Sequence, residues 1–330
     1  MPGTLFKVVD LDSITLTDGL NTQRRLPSEN LWTALQLRLT ATSANGPPAS
    51  VLLDGILNLI ARMILRVNGR PIFNLPAADQ YFRQTYQWGT AGNITQATTT
   101  VGATNVDIVI PLALPRPAKY PESLITGLPA GLINNITLEL QAPAGLIAAV
   151  FGTPGTTSFS AGPSVQISAH QIEASQSELR DMLRSGALQG YIQTHRQTTV
   201  AGAGDLDQEL DSGRGRMLDL YSRVINNSAL SDALVTNVSL LVGTNSRPIE
   251  SRHLVLQDTA KRDYQIETSP VGTWAYAFNR FGKADQYVDL DNVNNVKLRY
   301  TCGAPTGTAN IRTIQGTVQP DFYREVANLQ

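Results

Sequence analysis

The sequence Asn-Gly-Arg-Pro-Ile at residues 68–72 recurs as Asn-Ser-Arg-Pro-Ile at residues 245–249. A second motif, Asn-Asn-Ile-Thr-Leu-Glu-Leu at residues 134–140, recurs as Asn-Asn-Val-Lys-Leu-Arg-Tyr at residues 294–300. The two motifs occur in the same order in both halves of the chain. This self-similarity predicts two copies of one domain, so a functional interpretation has to explain why one chain needs two similar folds.

The segments around these motifs alternate apolar and polar residues, which is typical of half-buried β-strands. The alternation covers residues 35–39, 106–110, 136–140 and 296–300. Clusters of Gly, Pro, Thr and Asn separate such segments, for example at 142–163, and predict turns and loops. Many short strands punctuated in this way predict an all-β fold built from sandwiches or barrels and not from βαβ units.

A few short helices are predicted at matching places in the two copies. Each Arg-Pro-Ile strand is followed by a candidate helix, over residues 76–88 in the first copy and 254–264 in the second. Ser175 and Glu178 have the spacing of a capping box and predict the start of a third helix. Residues 319–326 predict a matching short helix at the end of the second copy.

The length of 330 residues suits two domains better than one core. Because each copy closes with a strand and a helix, we predict a first domain over 1–185 and a second over 186–330. The interval between the two motifs is 134 − 68 = 66 positions in the first copy and 294 − 245 = 49 in the second. The first copy therefore carries about 17 extra residues, and the Thr-rich stretch 95–100 is the predicted surplus loop.

The composition favours a protein that assembles and argues against binding of nucleic acid. The formal net charge is −1 and the basic residues are scattered, whereas neutralising phosphates needs clustered Lys and Arg. Only 16% of the residues are charged, so like-charge repulsion does little to keep copies apart. The N-terminal residues lack the pattern of a signal peptide. Cys302 is the single cysteine and is predicted to be buried and inert.

Four acidic residues, Asp205, Asp207, Glu209 and Asp211, alternate along one segment and are the candidate metal ligands. On a loop they could chelate a hard cation such as calcium, but Arg216 occupies the place of the distal glutamate of a calcium loop. The alternative interpretation is a solvated acidic segment. No other cofactor is predicted.

The sequence contains no recognisable catalytic constellation, and we predict that the protein is not an enzyme. The three histidines, His170, His195 and His253, lack the spacing of metal ligands and are predicted to be solvated surface side chains. A nucleophile elbow, a Walker loop, a Rossmann fingerprint and a CxxC motif are all missing from the sequence. No catalytic residue is therefore assigned.

One stretch carries a resemblance to a known family. A strand of alternating apolar residues ends at Val67, is followed by Asn-Gly-Arg, and leads into an apolar strand and a helix. This stretch, 60–75, resembles the first roll of double jelly-roll major capsid proteins from small membrane-containing bacteriophages such as corticoviruses. The wider family forms the shells of tailless icosahedral viruses and includes the adenovirus hexon lineage. The second copy departs from the pattern because Ser246 stands where the first has Gly69, and only Gly adopts positive φ freely.

The resemblance implies two tandem eight-stranded jelly rolls with a few short helices, and a structural function. Three such chains around a threefold axis present six similar rolls, so a homotrimer could tile a roughly hexagonal lattice. The implied partners are neighbouring capsomers, minor capsid or penton proteins, and proteins of an underlying viral membrane, without direct contact to nucleic acid. The implied location is the virion capsid, assembled in the host cell cytoplasm.

Two other functions are open to a pair of β-sandwiches. One is an exported carbohydrate-binding or adhesin protein that uses Trp32, Trp88 and Trp274 as stacking platforms, although their apolar surroundings favour packing in a core or a subunit interface. The other is a hydrolase with paired carboxylates in a cleft between the sandwiches. The first predicts an exported protein, and the second predicts acids with perturbed pKa values in that cleft.

Overall fold

The computed structural model describes residues 5–44, 51–88, 102–114, 122–244, 246–279 and 286–327. The Thr-rich stretch 95–100, which is the predicted surplus loop, lies outside these residues. β-strands make up most of the regular structure in the described ranges. The predicted all-β class is therefore confirmed.

The first half of the chain forms two four-stranded antiparallel sheets, which we call the first sandwich. Its strands are β1 (Phe6–Thr15), β2 (Asn21–Leu26), β3 (Leu31–Ala44), β4 (Arg62–Val67), β5 (Arg70–Leu75), β6 (Gly102–Pro111), β7 (Ile136–Gln141) and β8 (Ser158–Ile172). The strand order is β1-β8-β3-β6 in one sheet and β5-β4-β7-β2 in the other. Most consecutive strands thus lie in opposite sheets, as in a Greek key, whereas the hairpin of β4 and β5 stays within one sheet.

The second half repeats this arrangement, and we call it the second sandwich. Its strands are β9 (Gly190–Thr199), β10 (Gly204–Glu209), β11 (Arg216–Asn226), β12 (Ala229–Leu230), β13 (Val235–Val242), β14 (Ser246–Arg252), β15 (Thr273–Ala277), β16 (Val288–Asp289), β17 (Val296–Cys302) and β18 (Ala309–Gln319). The order is β9-β18-β11-β15 in one sheet and β10-β17-β13-β14 in the other. Apart from the two-residue strands β12 and β16, which pair with β11, eight strands follow the same path as the first eight.

The alternating residues of these strands build the two cores. Leu35, Leu37 and Leu39 of β3 are fully buried, and they share a core cluster with Met63 and Leu65 of the facing sheet. The second sandwich has its own cluster, formed by the corresponding strands. Each leucine buried in this way stabilises the fold by about 1.5–3 kcal/mol, so the period-two pattern in the sequence is also the main source of stability.

Five α-helices connect or follow the strands. They are α1 (Ala77–Trp88), α2 (Leu146–Phe151), α3 (Gln176–Arg184), α4 (His253–Tyr264) and α5 (Phe322–Val326), with 3-10 helices at Gly55–Leu59, Glu122–Thr126 and Ala130–Leu132. The four predicted helices are confirmed, and Ser175 and Glu178 form the predicted capping box at α3. The predicted loop at 142–163 is wrong in two places, because it contains α2 and the start of β8. Val150 and Phe151 of α2 are buried in the core, which holds this short segment in a helix that local pattern does not indicate.

The two Arg-Pro-Ile hairpins have different turns. In the first, Asn68 and Gly69 both have positive φ, 46° and 84°, and link β4 directly to β5. In the second, three residues separate β13 from β14, and Gly243 has a positive φ of 62°. A two-residue turn that matches the twist of a hairpin requires positive φ at both of its residues, so Gly69 is needed in the first copy. In the second copy the turn is longer, and Ser246 is the first residue of the strand that follows it.

Replacing Gly69 with Val should lower the free energy of unfolding by about 1–2 kcal/mol, the usual cost of left-handed backbone for a side chain with a Cβ atom. No atom lies within 4 Å of the position that the new Cβ would occupy, so the loss reflects backbone strain alone. Urea unfolding of G69V measures it. Gly202 also has open space around it but no positive φ, so G202V is the matched control. Equal losses in the two variants would contradict the explanation.

The two sandwiches share one sheet. β5 of the first sandwich pairs in parallel with β9 of the second at Phe73 and Gln193, which produces a ten-stranded sheet. The chain passes from one sandwich to the other through α3. The division of the chain into domains at 1–185 and 186–330 stays a prediction, which limited proteolysis between α3 and β9 would test.

Candidate functional site

Helix α1 of the first sandwich lies against the outer face of the second sandwich, and we call this contact the seam: α1 against β9, β11 and β18. Arg83 of α1 is buried there and donates hydrogen bonds to Gln193 Oε1 at 2.6 Å, Tyr191 Oη at 2.7 Å and Asp219 Oδ1 at 2.6 Å. Tyr191 also donates to the second oxygen of Asp219. The seam therefore contains an ion pair that is fully removed from water.

A second buried cluster lies beside the first. Arg223 of β11 donates to Asp79 Oδ1 of α1 at 3.0 Å and also contacts the carboxylate of Asp54. The second oxygen of Asp79 lies 3.0 Å from His195 Nε2, and Arg312 Nη1 lies 3.6 Å from Asp79 Oδ1. Charges from both sandwiches thus neutralise each other inside the seam, which offsets the cost of removing them from water.

The electrostatics of Asp79 follow from these partners. Burial on its own raises the pKa of a carboxyl group, but contact with His195 and the positive charges of Arg223 and Arg312 outweigh it and hold the pKa of Asp79 well below its usual range. Asp79 is therefore ionised over the whole physiological range of pH. The attraction between Asp79 and the cations of the second sandwich therefore holds the two sandwiches together throughout that range.

The opposite side of α1 is bound to its own sandwich. Gln80 Nε2 donates to the carbonyl of Val109 at 2.6 Å, and Gln84 exchanges hydrogen bonds with the backbones of Asp107 and Val109 on β6. Helix α1 therefore lies between the two sandwiches and contacts both of them. Nearly all of its described side chains are buried. Among the described residues of the seam, packed helix thus occupies the space in which the hydrolase hypothesis places a cleft.

The prediction that all three histidines are solvated is wrong for two of them. The side chain of His195 is only 8% exposed, because it lies in the seam against Asp79 of α1. His253, the first residue of α4, is buried as well, and burial lowers its pKa. His170 is half-buried, with a pKa lowered by burial, and its Nε2 lies 3.1 Å from Gln36 Oε1. A single sequence gives no signal for these contacts because the covering helix is distant along the chain.

The four candidate metal ligands do not form one cluster. Asp205, Asp207 and Glu209 lie on strand β10, and Asp211 follows it. Within the described residues, no three His, Cys, Asp or Glu side chains are placed to share a metal ion. Asp211 forms an ion pair with Arg196 instead.

Asp207 shows what the alternating acids contact. It accepts hydrogen bonds from Arg299 and lies 2.6 Å from Lys297 Nζ, both on the neighbouring strand β17. The hydrogen bond from Arg299 and the contact with Lys297 lower the pKa of Asp207 to about 2. Opposite charges directly across antiparallel strands stabilise a sheet, so this acid is neutralised by protein cations. Calcium binding at the four residues stays a prediction.

Trp32, Trp274 and Cys302 are buried in the cores, as expected. The side chain of Trp88 lies outside the described residues. Among the described helices, none has both the length and the hydrophobicity needed to cross a membrane.

No protein-family model and no curated protein matches the chain. Several solved structures do match along nearly its whole length. The major capsid protein of Sulfolobus turreted icosahedral virus is 16% identical with a TM-score of 0.74, covering 98% of this chain and 100% of that one. The major capsid protein P2 of bacteriophage PM2 is 11% identical with a TM-score of 0.60, covering 95% and 98%. The PBCV-1 virus capsid model is 11% identical with a TM-score of 0.64, covering 96% and 94%.

The chain has the double jelly-roll fold. The similarity extends over both sandwiches, so the predicted pair of tandem eight-stranded jelly rolls is confirmed. The low identities show that this double jelly roll is maintained by burial pattern and topology and not by particular residues, since many apolar sequences fill the same core.

Proposed function

We propose that the chain is the major capsid protein of a tailless icosahedral virus and works by self-assembly. The observation that carries this proposal is the match of both jelly rolls, over 98% of this chain and 100% of the other, to the major capsid protein of Sulfolobus turreted icosahedral virus. The solved structures that share the fold also include the major capsid protein of bacteriophage PM2 and a capsid model of PBCV-1.

The functional unit in this proposal is a homotrimer. Each chain supplies two similar rolls side by side, joined through β5 and β9. Three chains around a threefold axis supply six, which gives a nearly hexagonal outline suited to tiling a shell. Neighbouring capsomers, minor capsid or penton proteins and proteins of an underlying viral membrane are the further proposed partners, the virion capsid is the proposed location, and the host cytoplasm is the proposed place of assembly.

The buried charged groups of the seam fit a structural role. Asp79, Arg83, Asp219 and Arg223 are buried between packed elements and are neutralised by one another or by neighbouring charges. Trp32 and Trp274 are fully buried and cannot serve as sugar-stacking platforms. These observations favour assembly over the hydrolase and carbohydrate-binding alternatives.

Size-exclusion chromatography with light scattering, followed by negative-stain microscopy, tests the proposal. We expect a particle of three times the 35.7 kDa chain mass, with a three-lobed or hexagonal outline, and shells or lattices at high concentration. A protein that stays monomeric at high concentration and never forms a lattice would overturn it.

A further inference from the structure

The internal repeat allows exposed and buried surfaces to be compared position by position. Ile172 of β8 lies four residues before the start of α3 (176 − 172 = 4), and Val318 of β18 lies four residues before the start of α5 (322 − 318 = 4). Phe6 of β1 pairs with Ile172, and Tyr191 of β9 pairs with Val318. Phe6 and Tyr191 therefore occupy equivalent places in the two rolls.

The equivalent positions differ sharply in exposure. The same registers equate Val8 with Gln193. Tyr191 and Gln193 are each 1% exposed and both accept hydrogen bonds from Arg83 of α1, whereas Phe6 is 60% and Val8 62% exposed. Phe6 and Val8 are thus exposed to solvent on the first roll, at positions that a helix contacts on the second roll.

The helices show the complementary difference. α1 and α4 both have 12 residues and follow equivalent strands. Aligning their first residues equates Ala78 with Leu254 and Asp79 with Val255. Ala78 and Asp79 are buried, whereas Leu254 is 57% and Val255 49% exposed. Helix α4 therefore carries an uncovered apolar surface at the position where α1 contacts the neighbouring roll.

The strand edges repeat the pattern. β5 and β9 are joined within the chain, and their counterparts β14 and β1 are sheet edges in the part of the chain that the structure describes. The head-to-tail contact between the two rolls of one chain can be repeated between the rolls of neighbouring chains. Such repeated contacts close into a ring when the rotation between successive rolls divides a full turn evenly. β1 belongs to the first roll and α4 to the second, so a repeat of this contact between chains joins the second roll of one copy to the first roll of the next.

We propose that a second copy of this chain covers these surfaces: α4 of one copy, through Leu254 and Val255, packs on β1 of the next, against Phe6 and Val8. This inference rests on the proposed trimer and names its contact. The contact inside the chain uses buried charges, whereas the contact between copies uses apolar side chains. Association of folded subunits through such side chains is favourable because it buries apolar surface and does not require charges to be removed from water.

Cross-linking between two cysteine variants tests the pairing. Thr259 has the same place in α4 as Arg83 in α1 (259 − 253 = 83 − 77), and Arg83 contacts Gln193, the counterpart of Val8. Chains carrying V8C and chains carrying T259C are co-expressed and treated with a short bismaleimide. The native Cys302 should not react, because it is buried and burial raises its pKa to about 11.

We expect cross-linked chains in the mixture and none when either variant is expressed alone. The matched control replaces V8C with L20C, since Leu20 is as exposed as Val8 but lies in the turn after β1, and it should give no product with T259C. A trimer without the cross-link between positions 8 and 259 would overturn this inference and leave the capsid proposal standing. A wild-type monomer would overturn both.

A charge variant provides a second measurement. F6D combined with V8D should abolish the trimer peak in light scattering while the circular dichroism spectrum stays that of the wild type, because both positions are exposed in the single chain. L20D, the control, should remain trimeric. A trimer that persists in the double variant would count against the proposed contact.

Discussion

Replacing Arg223 with Met should lower the free energy of unfolding by about 3–5 kcal/mol, the usual loss when one partner of a buried ion pair is removed. Arg223 is fully buried and neutralises two carboxylates, Asp54 and Asp79. Without the guanidinium, both acids are left in the seam with less positive charge. Denaturant unfolding at pH 7, followed by circular dichroism, measures the difference between wild type and R223M.

An exposed arginine of the same chain supplies the control. Arg299 also pairs with a carboxylate, Asp207, but its side chain is 40% exposed to solvent. R299M should therefore lose much less stability than R223M, because solvent screens an exposed ion pair. Similar losses in R223M and R299M would show that the seam does not hold the rolls together in the way that its geometry indicates.

The second large effect is a dependence on acid. Because the pKa of Asp79 is depressed in the folded chain, its contribution to stability is fully present above the unfolded value of about 3.9 and is lost as the pH falls toward the folded value. Each unit of depression corresponds to about 1.4 kcal/mol. The free energy of unfolding should therefore fall steeply below about pH 4 in the wild type, and less steeply in D79N.

The comparison that isolates Asp79 is the difference between wild type and D79N, measured by denaturant unfolding from pH 7 to pH 2.5, because other carboxylates titrate in both proteins. The difference should be largest at neutral pH and shrink below about pH 4, where acid protonates Asp79 in the unfolded chain while the folded chain keeps it ionised. D107N is the control, since Asp107 pairs with the exposed Arg38 and its depressed pKa reflects a weaker, solvated contact. If the free energies of unfolding of wild type and D79N differed by the same amount from pH 6 to pH 3, this would contradict the role assigned to ionised Asp79 in the seam.

Local pattern predicted the elements of this fold well. The period of two in β3, β7 and β17 predicted which residues point into each core, and the capping box at Ser175 predicted where α3 begins. These signals are reliable because a strand or a helix end depends mainly on residues within a few positions of one another. The segment 146–151 shows the limit, since α2 is held in place by burial of Val150 and Phe151 and not by a helical pattern of its own.

The seam could not be predicted in the same way. Asp219, Tyr221 and Arg223 alternate with inward-facing residues of β11, so their pattern is that of a strand with one face toward water. The structure places all three under α1 or its neighbours, buried. The charges of Asp219 and Arg223, four residues apart on that face, were the available signal, but a single sequence does not identify their partners.

The amino-acid pattern is enough to show that there are two copies of one β fold, which faces of the strands are apolar, and where most helices lie. Which polar faces contact water and which contact the other roll is known only from the packing of the folded chain. The physical reason is that periodicity records the direction of a side chain relative to its own strand, whereas burial of the outer face depends on a helix more than a hundred residues away in the chain, as Asp79 and Arg223 show.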